Sequence, residues 1–423
     1  MQRMPVLALV SLLLAALVLP AAAVADDWPQ FRGLNRDGVS GETGLLSEWP
    51  QTGPPELWRL PIGEGYSAPS VVGDRLYTMY AGREQDGDGN EIEDGKEVEY
   101  AAAFDAASGA EIWRTLIGGK LDTEFGNGPR STPTLVGASV YVLGSHGDLA
   151  ALDAADGSVR WTLSLIEAFG STRPGWGFST SMLVDNGKVI VEGGGPEGKS
   201  YAALDASSGE VLWTTGEARS AGYNSPLAVD MNGNRRYVYV AGGQLRCIDE
   251  DGQEVWTHEW PRGETHAMPV LVGKNRIYAS GAEGVGAQML EVSEGKDGAS
   301  VSEVWKVANL RNHFSSSVVH GDHIYGFDNA TFKAVSAATG ELAWAKRGLG
   351  KGSLILADGH LYVLSDRGKL LRVAASPEGY TELGSVQALS GKTWTAPTLA
   401  NGILYLRSHS ELVAYDLRQG GAS

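Results

Sequence analysis

The stretch that decides the fold is Ala103-Phe104-Asp105-Ala106-Ala107-Ser108-Gly109-Ala110-Glu111-Ile112-Trp113. It sets an apolar pair before an Asp, then a Gly turn, then a Trp four residues after the Gly. The pattern returns from Ala151 to Trp161 and from Ala203 to Trp213. Looser copies run through Ile248-Asp249, Gly252 and Trp256, and through Val335-Ser336, Gly340 and Trp344. A copy with an insertion ends at Trp305, and a degenerate one, Val373 to Leu383, has lost its Trp. Period-2 alternation of apolar residues makes half-buried strands. The Gly gives the hairpin its positive φ, and the Asp or Ser side chain bonds to the turn backbone. The Trp covers a large apolar area, which suits stacking one small sheet on the next.

A second pattern alternates with the first: a small or Pro-containing entry, an apolar run, a turn, and a run ending in Tyr or Ile. It runs from Ser67-Ala68-Pro69 to Tyr77, Ser131-Thr132-Pro133 to Tyr141, Ser179 to Ile190 and Ser225-Pro226 to Tyr237. It continues from Met268-Pro269 to Tyr278, Ser315 to Tyr325, Ser353 to Tyr362 and Ala396-Pro397 to Tyr405. Eight copies, 37 to 64 residues apart, predict eight four-stranded meanders. None can bury both faces alone, so they stack radially. The expected fold is all-β, an eight-bladed β-propeller of four-stranded antiparallel blades. The last repeat stops after Leu412 to Leu417 with no outer Trp strand. Glu56-Leu57-Trp58-Arg59-Leu60 resembles every other outer strand. We expect this N-terminal strand to complete the last blade, which removes an open edge. The predicted layout is a signal peptide over 1–25, an extended strap over 26–53 and the propeller over 54–423.

The first 25 residues read as a secretory signal: Arg3, an apolar stretch from Val6 to Leu19, and Ala23-Val24-Ala25 as the cleavage site. The expected location is periplasmic or secreted. No Cys near that site offers a lipid anchor, and no other segment has the apolar length of a membrane span. With one Cys, Cys247, no internal disulfide is possible. The formal charge is −17, and removing Arg3 with the signal leaves 33 basic against 51 acidic residues, or −18. Such a surface repels phosphate backbones, so nucleic acid is not an expected partner.

Ala103 to Trp113, Ala151 to Trp161 and Ala203 to Trp213 resemble the tryptophan-docking motif of pyrroloquinoline-quinone (PQQ) type propeller repeats. Asp27-Trp28-Pro29-Gln30-Phe31-Arg32-Gly33 with Asn35-Arg36-Asp37-Gly38 resembles the N-terminal signature of exported bacterial PQQ-like repeat proteins. Ala375-Ser376-Pro377-Glu378-Gly379-Tyr380 and Gly391-Lys392-Thr393-Trp394 match that group too. The resemblance spans residues 27 to 417 and implies a non-catalytic binding scaffold for a protein, peptide or small ligand. The alternative it implies is a PQQ-dependent dehydrogenase. Such enzymes carry an adjacent Cys pair beside the quinone, which one Cys excludes.

Aligning the repeats places one residue per blade just before each innermost strand, at the channel mouth: Tyr66, Arg130, Phe178, Tyr223, His266, Phe314, Lys351 and Trp394. Aromatic faces with two cations suit a flat anionic ligand or a peptide carboxylate. A quinone would be stacked by Trp394 and paired with Arg130 and Lys351. The plainer alternative is that the aromatics plug the channel. The segment 28–49, with Arg32, Arg36 and Asp37, is a structural strap held by Trp28 and Phe31, or else a contributor to the mouth. The loop Asp86-Gly87-Asp88-Gly89-Asn90, with Glu97, has oxygen ligands at calcium-like spacing but puts Glu91 where the turn Gly belongs, so a solvated acidic hairpin is expected. His320, Asp322 and His323 fall in a strand turn without a third ligand. No metal site and no catalytic set is expected.

Overall fold

The computed structural model describes residues 26–420 except 87–88, 218–220, 232, 283 and 296–297. The signal-peptide expectation, residues 1–25, and the tip of the Asp86–Asn90 loop lie outside the described residues. Eight four-stranded antiparallel sheets make the ring. Among the described residues one short helix, Leu165–Phe169, interrupts them. In seven blades the strands follow chain order from the channel outward. In the eighth, Thr398–Ala400, Ile403–Arg407 and Glu411–Asp416 are followed by Glu56–Pro61 as the outermost strand. That strand runs antiparallel to Glu411–Asp416 and sets Trp58 opposite Ala414.

The core lies between blades rather than at one centre. The second strand of most blades carries a fully buried Tyr, as at Tyr237, Tyr278, Tyr325, Tyr362 and Tyr405. The outer Trp of a repeat does not meet the Gly turn of its own repeat; it meets that of the next. The Trp58 indole donates to the Ala106 carbonyl at 3.0 Å, Trp113 to Ala154 at 3.1 Å and Trp161 to Ala206 at 3.0 Å. Trp213 donates likewise to Glu250, Trp305 to Ala337 and Trp344 to Ser376. Each acceptor sits in the following blade, so one indole both covers apolar surface and ties a seam.

Gly157 shows why the turn is Gly. Its φ is +74°, and a Cβ there would lie 2.5 Å from the Trp113 ring and 2.7 Å from Thr115 Oγ1. Gly157→Ala is expected to cost about 1–3 kcal/mol, the backbone penalty plus overpacking. Gly187 has the same φ with open space around it, so Gly187→Ala should cost only the backbone part. Urea midpoints of the two variants check this: equal losses would mean that the indole seat contributes nothing.

The seventh blade, whose repeat lost its Trp, borrows one. In other blades the second-strand Tyr faces the outer-strand Trp: Tyr77–Trp113 at 6.0 Å, Tyr141–Trp161 at 6.1 Å, Tyr278–Trp305 at 6.2 Å. Tyr362 of the seventh blade instead faces Trp49 at 6.1 Å. Gly384, in that blade's outer strand, leaves room for it; a Cβ would come within 3.2 Å of the Trp49 ring.

The segment 26–46 closes one end of the channel. Trp28 pairs with Val71 of the first blade, and the Pro29 carbonyl accepts from Leu135 of the second. Arg36 donates to the Ser181 and Met182 carbonyls of the third blade, at 2.8 and 2.9 Å. Arg32 donates to the Ser316 and Ser317 carbonyls of the sixth, at 3.2 and 2.6 Å. Ser40 N–H donates to Leu356 of the seventh, and Glu42 accepts from Gly402 N–H of the eighth. Both guanidiniums are buried, and burial lowers their pKa values, Arg32 to about 10 and Arg36 to about 9.

Candidate functional site

At the opposite end of the channel lies a chamber of about 240 Å³. Its walls are the segments entering the innermost strands, and its floor is Phe31 and Arg32. Six of the eight residues expected at the mouth line it: Tyr66, Arg130, Tyr223, His266, Phe314 and Trp394. Phe178 and Lys351 do not. Phe178 is 1 % exposed and packs with Leu143 and Met182. Gly147 makes room for its ring, since a Cβ there would come 2.8 Å from it. In that blade the loop before Phe178 lifts Trp176 to the chamber instead. Lys351 is fixed through its backbone N–H to Asp366 at 3.2 Å and lies outside the lining.

Phe125, Trp176, Glu264 and His313 complete the walls. Assigning one position per blade misses them: Phe125 and Trp176 sit on longer connections, and Glu264 and His313 lie two and one residues before an aligned position. The 64-residue gap between the first two repeats was the available signal for Phe125. The rings form a continuous belt. Centroids are 5.3 Å apart for Phe125–Trp176, 5.2 Å for Trp176–Tyr223 and 5.1 Å for Tyr223–His266. The belt continues at 5.5 Å for His266–His313 and 4.8 Å for Phe314–Trp394, and returns at 6.4 Å for Trp394–Phe125.

The loop 121–128 is pinned over this belt. The Phe125 carbonyl accepts from the Tyr66 hydroxyl and from Lys392 Nζ, both at 2.9 Å. Asn127 N–H donates to His409 Nε2 at 3.2 Å. Arg130 donates to the Gly128 carbonyl at 2.9 Å, the Gly126 carbonyl at 2.7 Å and Thr123 Oγ1 at 2.9 Å. The cations of the mouth are therefore braces of the loop. Burial lowers the Arg130 pKa and raises that of Tyr66 to about 12. Burial, with His313 beside it, lowers His266 to about 4, so this imidazole is neutral at neutral pH. Its Nδ1 is buried without a hydrogen-bond partner.

These residues do not fit a quinone held as the sequence suggested. Trp394 already has Phe314 stacked at 4.8 Å and Tyr66 at 6.2 Å. Arg130 is committed to the loop, and Lys351 is outside the chamber. Cys247 is buried in the fourth blade, where burial pushes its thiol up to about 12. His320 and His323 pair across a hairpin, and no cluster of three metal-ligating side chains occurs among the described residues. No helix among them is long and apolar enough to cross a membrane.

A family model described as outer membrane protein assembly factor BamB matches residues 97–346. The BamB protein of Yersinia pestis is 24 % identical over 322 residues, 70 % of this chain and 75 % of that one. That of Salmonella typhimurium is 26 % identical over 307 residues, 69 % and 74 % of the two chains. Among solved structures, BamB from Moraxella catarrhalis superposes with a TM-score of 0.59 at 18 % identity, over 87 % of this chain and 99 % of that one. Quinohemoprotein alcohol dehydrogenase from Comamonas testosteroni gives 0.60 at 13 % identity, over 94 % and 81 %. Identities that low speak for the fold alone.

Proposed function

We propose, from the premise that this chain belongs to the PQQ-like repeat family described as outer membrane protein assembly factor BamB, that it is an exported, non-catalytic binding propeller. Its relatives are named for the assembly of outer membrane proteins, which supports a protein partner and a place outside the cytoplasm. Residues 1–25 serve as the leader, 26–53 as the strap and 54–423 as the ring. The chamber at the channel mouth is the ligand-receiving site. One observation carries that assignment: a continuous aromatic belt stands above a floor of Phe31 and Arg32, on an eight-bladed scaffold. Concave, mainly apolar sites with a few placed polar groups are where ligands bind.

A photo-crosslinking residue at Phe125, which is 41 % exposed, tests this in the native host. We expect a discrete higher-mass adduct from that position and none from Leu342 on the outer rim of the sixth blade. Adducts from Leu342 alone would move the binding surface to the blade edges and end the chamber assignment.

A further inference from the structure

A second recess lies at the seam of the first two blades. It is a cleft of about 720 Å³ between the first blade's outer strand, Glu111–Gly119, and the second blade. Leu116 and Ile117 line it from the first blade; Val159, Thr162 and Leu163 line it from the outer strand of the second. Asp148 and Glu167 stand in it. It shares no lining residue with the chamber.

Asp148 is the anomaly. Its carboxylate is half-buried against the first blade, where a Cβ on Gly118 would collide with it. Burial raises its pKa; His146 opposes the rise and Glu167 adds to it. Among the described residues no hydrogen bond and no ion pair reaches this carboxylate. The cations of the flanking strands are committed elsewhere: Arg114 to Glu111 at 2.8 Å, Arg160 to Asp153 at 2.7 Å and Lys120 to Glu64 at 3.1 Å. A carboxylate that loses water and gains no partner costs stability where it stands. A cation from another molecule would compensate it.

Two neighbouring features indicate what carries that cation. Leu116 and Val159 are 47 % and 53 % exposed, apolar surface that a lone metal ion or small ammonium would leave wet. The strand Val159–Ser164 is the outermost of its sheet, so one row of its N–H and C=O groups faces no strand and can template an added one. A chain laid on that edge turns every second side chain toward the cleft. Lys and Arg join a charged head to an apolar stem, which matches a carboxylate set among Leu116, Ile117 and Val159. We propose that this cleft docks an extended segment of a partner protein that carries Lys or Arg between apolar residues, with the cation on Asp148 and Glu167 and the backbone along Val159–Ser164. The site stands whether or not the chamber receives a ligand.

Fluorescence anisotropy of a labelled Thr-Val-Lys-Val-Arg-Val-Thr peptide, titrated with the purified protein, tests this. We expect saturable binding. The same peptide with Gln for Lys and Arg should bind about tenfold more weakly, the worth of one charge-assisted bond. Asp148→Asn should weaken the basic peptide by about the same factor and bind the two peptides alike. Diffuse attraction to a chain of formal charge −17 would hardly respond to the loss of one carboxylate. Asp148→Asn should also melt no lower than wild type at pH 7, since it removes an uncompensated charge, so lost binding is not lost folding. Methylating alternate backbone nitrogens of the peptide should abolish binding, because edge pairing needs those donors. The proposal is overturned if the basic peptide does not bind, if the Gln peptide binds equally, or if either Asp148→Asn or the methylated backbone leaves binding undiminished. Adducts at Phe125 alongside any of those failures would leave the chamber reading intact.

Discussion

Arg407→Met should cost about 3 kcal/mol of stability, because it strips donors from a seam that holds the ring shut. The guanidinium is wholly buried. It donates to the Ser67 carbonyl at 2.9 Å, Thr78 Oγ1 at 2.8 Å, the Met79 carbonyl at 2.6 Å and the Gly63 carbonyl at 3.2 Å. All four acceptors belong to the first blade or the stretch leading into it, while Arg407 belongs to the eighth. Met fills similar volume and relieves the desolvation of an unpaired charge, which by itself would stabilise. Against that stand the acceptors that lose a donor, at about 1–3 kcal/mol each where nothing replaces the bond; the Ser67 carbonyl keeps the Thr78 hydroxyl at 2.9 Å. The acceptors win by number. Arg407→Lys keeps the charge and fewer donors, so it should fall between wild type and Met. Guanidinium unfolding midpoints decide the matter: a Met variant as stable as wild type would show that these acceptors find other partners.

The second large effect is a pH dependence centred on Glu192. This side chain lies on the third blade's second strand, opposite Tyr201. Its Oε1 accepts from Gly222 N–H at 2.7 Å, and its Oε2 is buried without a partner. Burial raises its pKa to about 8, and the single backbone bond only partly opposes that. The sign follows from proton counting. Below the ordinary carboxyl value of 4.5 both folded and unfolded chains hold the proton. Between 4.5 and about 8 the folded chain holds it and the unfolded chain has released it. Stability therefore falls as pH rises through that window, by about 1.4 kcal/mol per pH unit, and levels off above it. Glu42, raised to about 7 by burial, adds in the same direction. Glu192→Gln removes the Glu192 part: its melting temperature should fall less than that of wild type between pH 5 and pH 8, and should exceed it at pH 8. Parallel pH profiles for the two proteins would mean that the carboxyl reaches water.

The fold was legible because its determinants are local. A Gly–Trp spacing and a Tyr-ended strand recur in one chain, and eight copies dictate eight blades. What the repeat hid is what the indole touches. Trp113 looks tied to Gly109, its neighbour in sequence, yet Trp58 occupies the Gly109 turn and Trp113 occupies that of Gly157. The mouth was legible only where a blade follows the average. Phe178 sits at the aligned position but faces the core, since Gly147 opens a hole for it. Trp176 and Phe125 escape alignment because nothing in a repeat specifies the course of a long connection. The roles of Arg32 and Arg130 were beyond sequence as well. Residue type gives a charge, and only coordinates show that carbonyls have already claimed its donors.

The loan of Trp49 to the seventh blade and of Glu56–Pro61 to the eighth sets an order of events on the way to the native state. These residues precede every blade in the chain, yet their seats are made last. Until Tyr362 and Glu411–Asp416 exist, an indole and a strand edge near the start stay uncovered, and exposed edges invite pairing with other molecules. Blade-by-blade growth cannot give a finished intermediate here. That early stretch has no seat until residues some 350 positions later in the chain have arrived to receive it.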